Sequence, residues 1–287
     1  GAQHKCPHWL PQREIAHIYQ RELFGYFRVP LYPIFETLPA METTSARPLA
    51  VITGGSRGLG FESAKALAER GFDLALIAKD GAKLESSAKE IQGVNVSTFV
   101  CDLEQSEQVR ETIAAITKSL PVPQVLMLAH GVMSEKMSKT LRTTDAEWRR
   151  VMAINLDSVF QLVNGIAPAM ADARNGRIVI FSACLGRMSG PGNAGGLAPY
   201  RISKAGVNAL VRNLAHETGL GARGLLVDAI CPNHSRTDMG GPDAPRSAEE
   251  GAATAIWLAT RPFNAAGVTD QEKLTGVLWE DQQVVPW

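Results

Sequence analysis

Beginning at Leu49, short apolar runs alternate with helix-patterned segments through to the end of the chain. The runs are "LAVITGG" (49–55), "DLALIAK" (73–79), "VNVSTFVCD" (94–102), "QVLMLAHG" (124–131), "GRIVIFSA" (176–183), "GLLVDAICP" (224–232) and "TGVLWE" (275–280). Between them lie "FESAKALAERG" (61–71), stopped by Gly71, "AKLESSAKEIQ" (82–92), and helical stretches over 104–120, 145–172 and 199–219. A further helix opens on the capping-box pair Ser247 and Glu250 and runs to about Thr260. Most runs are nearly continuous in apolar residues. That is the pattern of strands covered by helices on both faces, so it predicts βαβ units and a parallel sheet. No repeat or low-complexity linker interrupts 48–287, which reads as one doubly wound α/β domain preceded by an N-terminal extension, 1–47. Ligands of such sheets sit beyond the carboxyl ends of the strands. Gly54 to Gly60, His130, Ser182 and Pro232 all fall there.

Charge narrows the partners. Lys plus Arg and Asp plus Glu stand at 29 each, so no net field draws the chain to nucleic acid or to an anionic membrane. The longest apolar runs, such as "RIVIFSACLG", are too short to span a bilayer. The four cysteines, Cys6, Cys101, Cys184 and Cys231, are scattered and form no C-x-x-C pair. In a chain of this length that is a reduced, cytoplasmic pattern. The first Met is Met41, and the stretch before it concentrates His, Pro and aromatic residues. Ile15, Ile18, Tyr19, Glu22, Leu23, Tyr26 and Phe27 follow helical spacing there. A docking arm, a transit peptide, a membrane-surface helix and sequence upstream of the natural start all compete as readings. Glu14 and Glu22 count against a transit peptide. His4, Cys6 and His8 in "HKCPH" make a weak ligand set; a flexible tail is the reading, and no metal site is expected.

"TGGSRGLG" (53–60) joins the first strand to the first helix. Glycines there let backbone approach a ligand closely, and the helix N-terminus offers free N–H groups and a favourable dipole to a pyrophosphate. A strand–turn–helix setting makes this a dinucleotide turn and the unit Rossmann-type, with Thr53, Gly54, Ser56, Arg57, Gly58, Leu59 and Gly60 against the cofactor. An acidic residue ending the second strand would hold a ribose diol, whereas a base suits a 2′-phosphate. Lys79 ends that strand and Arg57 lies in the turn, which favours NADP(H). Asp80 is placed just past the strand end, pointing away. Asp102, with Leu103 beside it, is placed to accept from the adenine amino group.

"YRISK" (200–204) sets Tyr200 and Lys204 four apart, on one face of a helix, with Ser203 nearby. A phenol beside an ammonium is a proton donor whose pKa the cation lowers. With it come Asn155 in "INLDSVF", Ser182 in "IFSA" and, after the sixth strand, "CPNHSRTDM". This order and spacing resemble the short-chain dehydrogenase/reductase family, whose pattern is TGxxxGxG, a helical Asn, Ser, YxxxK and PGxxxTD. The resemblance runs from about Leu49 to Trp287. It implies hydride transfer at a carbonyl, with Tyr200 donating the proton and Lys204 lowering its pKa and gripping the nicotinamide ribose. Ser182 would bond the substrate oxygen, and Asn155 would hold a water linking Lys204 to solvent. His130 and Gly131, Pro232 and Thr237 would border the cofactor.

Two departures stand out. The family's NNAG is here Leu128-Ala129-His130-Gly131, so both asparagines are gone; His130 either meets the cofactor or replaces one of their hydrogen bonds. Asn233 stands for the glycine of PGxxxTD, at a turn whose positive φ Asn tolerates. "RSAEEGAATAIWLA" and "VVPW" resemble the carbonyl reductases. The short segment Gly240 to Arg246 implies an open site accepting ketones, aldehydes or quinones. The alternatives are a 3-oxoacyl-thioester reductase or another alcohol dehydrogenase of the family, and a non-catalytic NADP(H)-binding redox sensor. The glycine-rich link between Ser182 and Tyr200 leaves helices 145–172 and 199–219 free to pack against another copy, so a homodimer or homotetramer is expected. Cys184 is read as a buried, inert thiol near the pocket.

Overall fold

The computed structural model describes residues 47–135, 138–190, 194–263 and 267–287. The readings made for the N-terminal extension lie outside the described residues. Strands β1 (Leu49–Thr53), β2 (Asp73–Ala78), β3 (Val96–Val100), β4 (Val125–Leu128), β5 (Gly176–Phe181), β6 (Leu225–Ile230) and β7 (Leu278–Glu280) alternate with helices. These are α1 (Gly58–Glu69), α2 (Gly81–Glu90), α3 (Ser106–Ser119), α4 (Asp145–Met152), α5 (Ser158–Asp172), α6 (Ala198–Glu217) and α7 (Ala248–Thr260). The sheet order is β3-β2-β1-β4-β5-β6-β7-β8. Every pairing from β3 to β7 is parallel, and β8 (Gln283–Val285) closes the edge antiparallel to β7.

Successive side chains of a strand point to opposite faces, so each apolar run feeds two cores. Val51, Ala75, Leu126, Ile178 and Val227 meet α3, α5 and α6 on one face. Ile52, Leu76, Met127, Val179 and Ile230 meet α1 and α7 on the other. α5 shows the helical counterpart: Val159, Leu162, Val163, Ile166, Ala167 and Met170 recur at three- and four-residue spacing and are buried. The order reverses between β1 and β4, which opens a crevice at their carboxyl ends.

Three local features differ from the sequence reading. The helix expected over 145–172 is interrupted by a π-helical turn, Ala153–Asp157, in which Asn155 is wholly buried. Periodicity does not reveal one extra residue per turn when the segment stays helical on both sides. Strand β8 was too short and polar to register. Asp80 has a definite job: its carboxylate accepts from the Lys83 backbone N–H at 3.0 Å and caps α2. The capping box of α7 forms as expected, with Ser247 N–H donating to Glu250 at 2.7 Å and Glu250 N–H donating to Ser247 Oγ at 3.0 Å. Among the described residues no helix is long and apolar enough to cross a membrane.

Candidate active site

A cleft of about 970 Å³ lies across the carboxyl ends of the strands, at the upper end of the usual range for a small-molecule site. Of the site residues expected from sequence, Gly54, Ser56, Arg57, Gly58, Leu59, Gly60, Lys79, Asp102, Leu103, His130, Gly131, Ser182, Tyr200, Lys204, Pro232 and Thr237 line it. Thr53 and Asn155 stand behind its wall, both fully buried. The glycine turn is built for close approach. Gly54 takes φ of 67°, and a Cβ on Gly60 would lie 2.3 Å from the Gly54 carbonyl oxygen. The first turn of α1 therefore folds back onto its own strand end, its backbone N–H groups facing the cleft.

Lys79 Nζ lies 2.7 Å from an Asp102 carboxylate oxygen, and this partner pushes the lysine's pKa up. The Asp102 carboxylate also accepts from the Glu104 N–H at 3.1 Å. An acceptor expected to face adenine is thus committed within the protein. Arg57 pairs with Asp238 at 2.5 Å. The cleft edge so presents two solvent-accessible cations, each paired with a carboxylate, and Asp80 lines it as well, one of its carboxylate oxygens accepting from the Lys83 N–H at the helix cap. These residues fit a phosphorylated dinucleotide: a glycine cradle that a single Cβ would fill, and cations at its rim.

Deeper in, Lys204 Nζ donates to the Phe181 carbonyl at 2.7 Å and lies 5.9 Å from the centre of the Tyr200 ring. Burial lowers the Lys204 pKa to about 8. The Tyr200 phenol moves the opposite way from the sequence expectation. Burial raises its pKa, helped by the nearby Cys231 and Cys184 sulfurs. The ammonium is drawn to a carbonyl instead of the phenol, so desolvation prevails. Ser182 Oγ donates to Asn208 Oδ1 at 2.5 Å. Asn208 was missed in the sequence, although it continues the face of Tyr200 and Lys204 by one more step of four. Ser134, also missed, accepts the Tyr200 N–H at 2.9 Å. Arg150, Val132, Arg236 and Met239 are among the further lining residues and carried no motif.

Asn155 is fully engaged. Its oxygen accepts from Val132 N–H at 2.8 Å, and its amide donates to Val132 O at 2.9 Å and Ser203 Oγ at 3.1 Å. It locks the exit of β4 to the π turn and α6, leaving no spare donor for a water. The side chain of His130 performs the second of the two roles open to it. Its Nε2 faces the Ile154 carbonyl at 3.0 Å and so carries the proton, leaving Nδ1 to accept from Thr53 Oγ1 at 2.6 Å. Thr53 Oγ1 in turn accepts from Ala129 N–H at 3.1 Å. Burial and the Lys204 charge lower the His130 pKa to about 3, which keeps the ring neutral. This chain ties β1, β4 and the π turn together without the family's asparagines. Asn233 takes φ of 58°, as its place in the turn required.

Cys184 was expected to be buried, but it is only half-buried, and its N–H contacts the Cys231 sulfur. Among the described residues no cluster of His, Cys, Asp or Glu is arranged to hold a metal.

Comparison with known proteins agrees with this geometry. The family model for short chain dehydrogenases matches residues 48–247. A 3-oxoacyl-[acyl-carrier-protein] reductase of Staphylococcus epidermidis is 31% identical over 193 residues, covering 66% of this chain and 76% of that one. A galactitol 2-dehydrogenase (L-tagatose-forming) of Cereibacter sphaeroides is 30% identical over 220 residues, covering 76% and 82%. In structure, a blue fluorescent protein from a metagenomic library, solved with NADPH, superimposes with a TM-score of 0.69 at 23% identity over 80% of this chain and 94% of that one. A glycine cradle at the first strand, the Ser182, Tyr200 and Lys204 trio facing one cleft, and a model match over most of the chain leave one conclusion: the protein belongs to the short chain dehydrogenase family and is an oxidoreductase.

Proposed function

We propose that the protein is a cytoplasmic, NADPH-dependent reductase that converts a ketone, aldehyde or quinone to the alcohol. The observation that supports it best is the convergence of Ser182, Tyr200 and Lys204 on one wall of a cleft whose other end carries the glycine turn and two cations. Gly54 to Gly60 would hold the pyrophosphate, Arg57 and Lys79 the 2′-phosphate, and Lys204 the nicotinamide ribose. NADPH, when bound, supplies the hydride. Tyr200, kept protonated by burial, gives its proton to the oxygen that becomes the alcohol. Lys204, charged below about pH 8, supplies positive charge beside the resulting phenolate. Ser182 turns its hydroxyl from Asn208 to the substrate oxygen. Asn155 and His130 act by position, holding β4 and the π turn against α6.

The Staphylococcus relative's name favours a second reading, in which a 3-oxoacyl thioester is the substrate. A carbonyl panel separates the two. NADPH absorbance loss on a quinone, an aromatic aldehyde and a dicarbonyl supports the broad reductase, whereas loss on a 3-oxoacyl thioester alone supports the other. Tyr200→Phe should lower turnover by about a thousandfold, within the usual range for a proton-transfer group, and leave NADPH binding intact. Undiminished turnover in that variant would sink the mechanism, and NADPH binding without turnover on any substrate would favour a redox sensor.

Self-association is part of the proposal. Phe160 on α5 and Ile202 on α6 are 53% and 44% exposed, apolar side chains on the two helices that this reading places against a second copy.

A further inference from the structure

We propose that Cys184 and Cys231 form an oxidative modification site, a thiol pair that a hydroperoxide converts to a disulfide, lowering turnover at the adjacent carbonyl site. β5 and β6 are parallel neighbours registered Phe181 to Ile230, and Ser182 N–H donates to the Ile230 carbonyl at 2.8 Å. Cys231 is the next residue of its strand, and Cys184 lies two beyond Ser182. The Cys184 N–H donates to Cys231 Sγ at 3.0 Å, which brings the two residues into direct contact.

The pair is asymmetric in the way such chemistry needs. Cys184 is half-buried and reachable, whereas Cys231 is buried behind it. The neighbouring Cys231 lowers the Cys184 thiol pKa, with the Leu185 N–H and Arg187 helping and burial and Glu280 opposing. The same contact and burial hold the Cys231 proton more tightly. Glu280, on β7, faces both sulfurs and has a buried carboxylate oxygen with no partner. Arg246 and Tyr200 are the remaining charged or titratable neighbours. A thiolate with a resolving thiol in contact is the arrangement that reacts with peroxide and closes.

In the first step the Cys184 sulfur attacks a peroxide oxygen: an S–O bond forms, the O–O bond breaks, and the leaving oxygen takes a proton. In the second, the Cys231 sulfur attacks the sulfenic sulfur: the S–S bond forms, the S–O bond breaks, and water leaves with the Cys231 proton. Two thiols and one hydrogen peroxide give one disulfide and two waters.

The link to turnover is mechanical. The turn Cys184–Gly186 is seated so closely on α6 that a Cβ on Gly186 would lie 2.7 Å from the Lys204 backbone. The Gly186 carbonyl accepts from the same Asn208 amide whose oxygen holds Ser182. Drawing Cys184 onto Cys231 moves this turn, and with it Ser182 and the backbone at Lys204. A misplacement of about 1 Å at reacting groups costs about 100-fold in rate.

The test treats the full chain with hydrogen peroxide and reads mass, peptide linkage and NADPH-dependent reduction together. Loss of two hydrogens, a 184–231 linked peptide, and a fall of about tenfold or more in kcat/KM that dithiothreitol reverses support the proposal. Cys231→Ala should stop at a sulfenic acid on Cys184, trapped by dimedone, and Cys184→Ser should keep its turnover through the same treatment. Oxygen addition without linkage, linkage through Cys6 or Cys101 instead, or a linked protein of unchanged kcat/KM would each overturn it. The effect on turnover rests on the reductase reading, but the linkage does not. A linked protein that turns over no carbonyl before treatment therefore indicts the reductase reading and leaves the thiol pair standing.

Discussion

Lys204 is a buried ammonium that forms no ion pair with a carboxylate among the described residues; it lies within a wall of backbone carbonyl, glycine and phenol. A Cβ on Gly131 would come within 3.3 Å of its Nζ, so the strand exit leaves room for the amine and little else. Burial lowers its pKa from 10.5 to about 8, so the charge is present below that pH and lost above it. Reduction should therefore fall above about pH 8, approaching tenfold per unit, with the Lys204→Arg variant moving the limb to higher pH. A log kcat/KM profile flat to pH 10 would refute the assignment. His130 shows why one part of this site was hard to read in advance. Its residue type suggests a titrating group, yet both ring nitrogens are committed, to Thr53 and to the Ile154 carbonyl. Only the three-dimensional arrangement of β1, β4 and the π turn makes that plain. That Tyr200 and Lys204 line one cleft was legible because a spacing of four on one helix puts two side chains on the same face, whereas the carbonyl that draws the ammonium away from the phenol comes from β5 and was not.

At the scale of the element, most of the alternation was visible because a strand buried on both faces must be apolar at nearly every position. The boundaries shifted inward by a residue or two where the last apolar residues already belong to the turns over the cleft. Two failures have physical causes. The π turn changes helical phase without changing composition, and β8 is an edge strand of only three residues, two of them exposed. Asp80 tests whether local geometry or residue type governs cofactor choice. Asp80→Ala should cost about 1 kcal/mol of stability through the lost helix cap and leave the preference for NADPH over NADH unchanged. Lys79→Ala should weaken NADPH binding about tenfold or more, the worth of a hydrogen bond to a charged group, and barely alter NADH. Fluorescence titration of both nucleotides and a thermal melt distinguish these outcomes. A shift of preference toward NADPH in Asp80→Ala would show that its carboxylate addresses the ribose after all.

For the whole molecule, the sheet brings a polar device into its far half. Asp228 on β6 pairs with Arg261 at 2.7 Å and accepts from the Trp279 indole at 3.0 Å, while Arg261 lies 5.2 Å and 5.0 Å from the rings of Trp257 and Trp279. The guanidinium thus fixes the end of α7 to β6 and β7. Charge placement of this kind cannot be read from a linear pattern, since Asp228 sits in a run otherwise apolar. Assembly belongs to this scale as well. The proposed self-association predicts that Phe160→Glu lowers the sedimentation coefficient in analytical ultracentrifugation while the fold persists by circular dichroism. An unchanged sedimentation coefficient would place the contact elsewhere.

One feature of the cleft's mouth governs how it would work in time. The segment 234–246 is anchored at both ends: Ser235 bridges to Arg246, Arg236 bonds the Ala244 and Pro245 carbonyls, and Arg246 forms a two-point ion pair with Asp281 beside β8. On the reductase reading, a rim pinned at both ends in this way would hold its place beside a reactant. Long or bulky molecules can then react at one end while the remainder stays in solvent, and encounter and escape are governed by diffusion through a standing gate, with no slow rearrangement for each cycle.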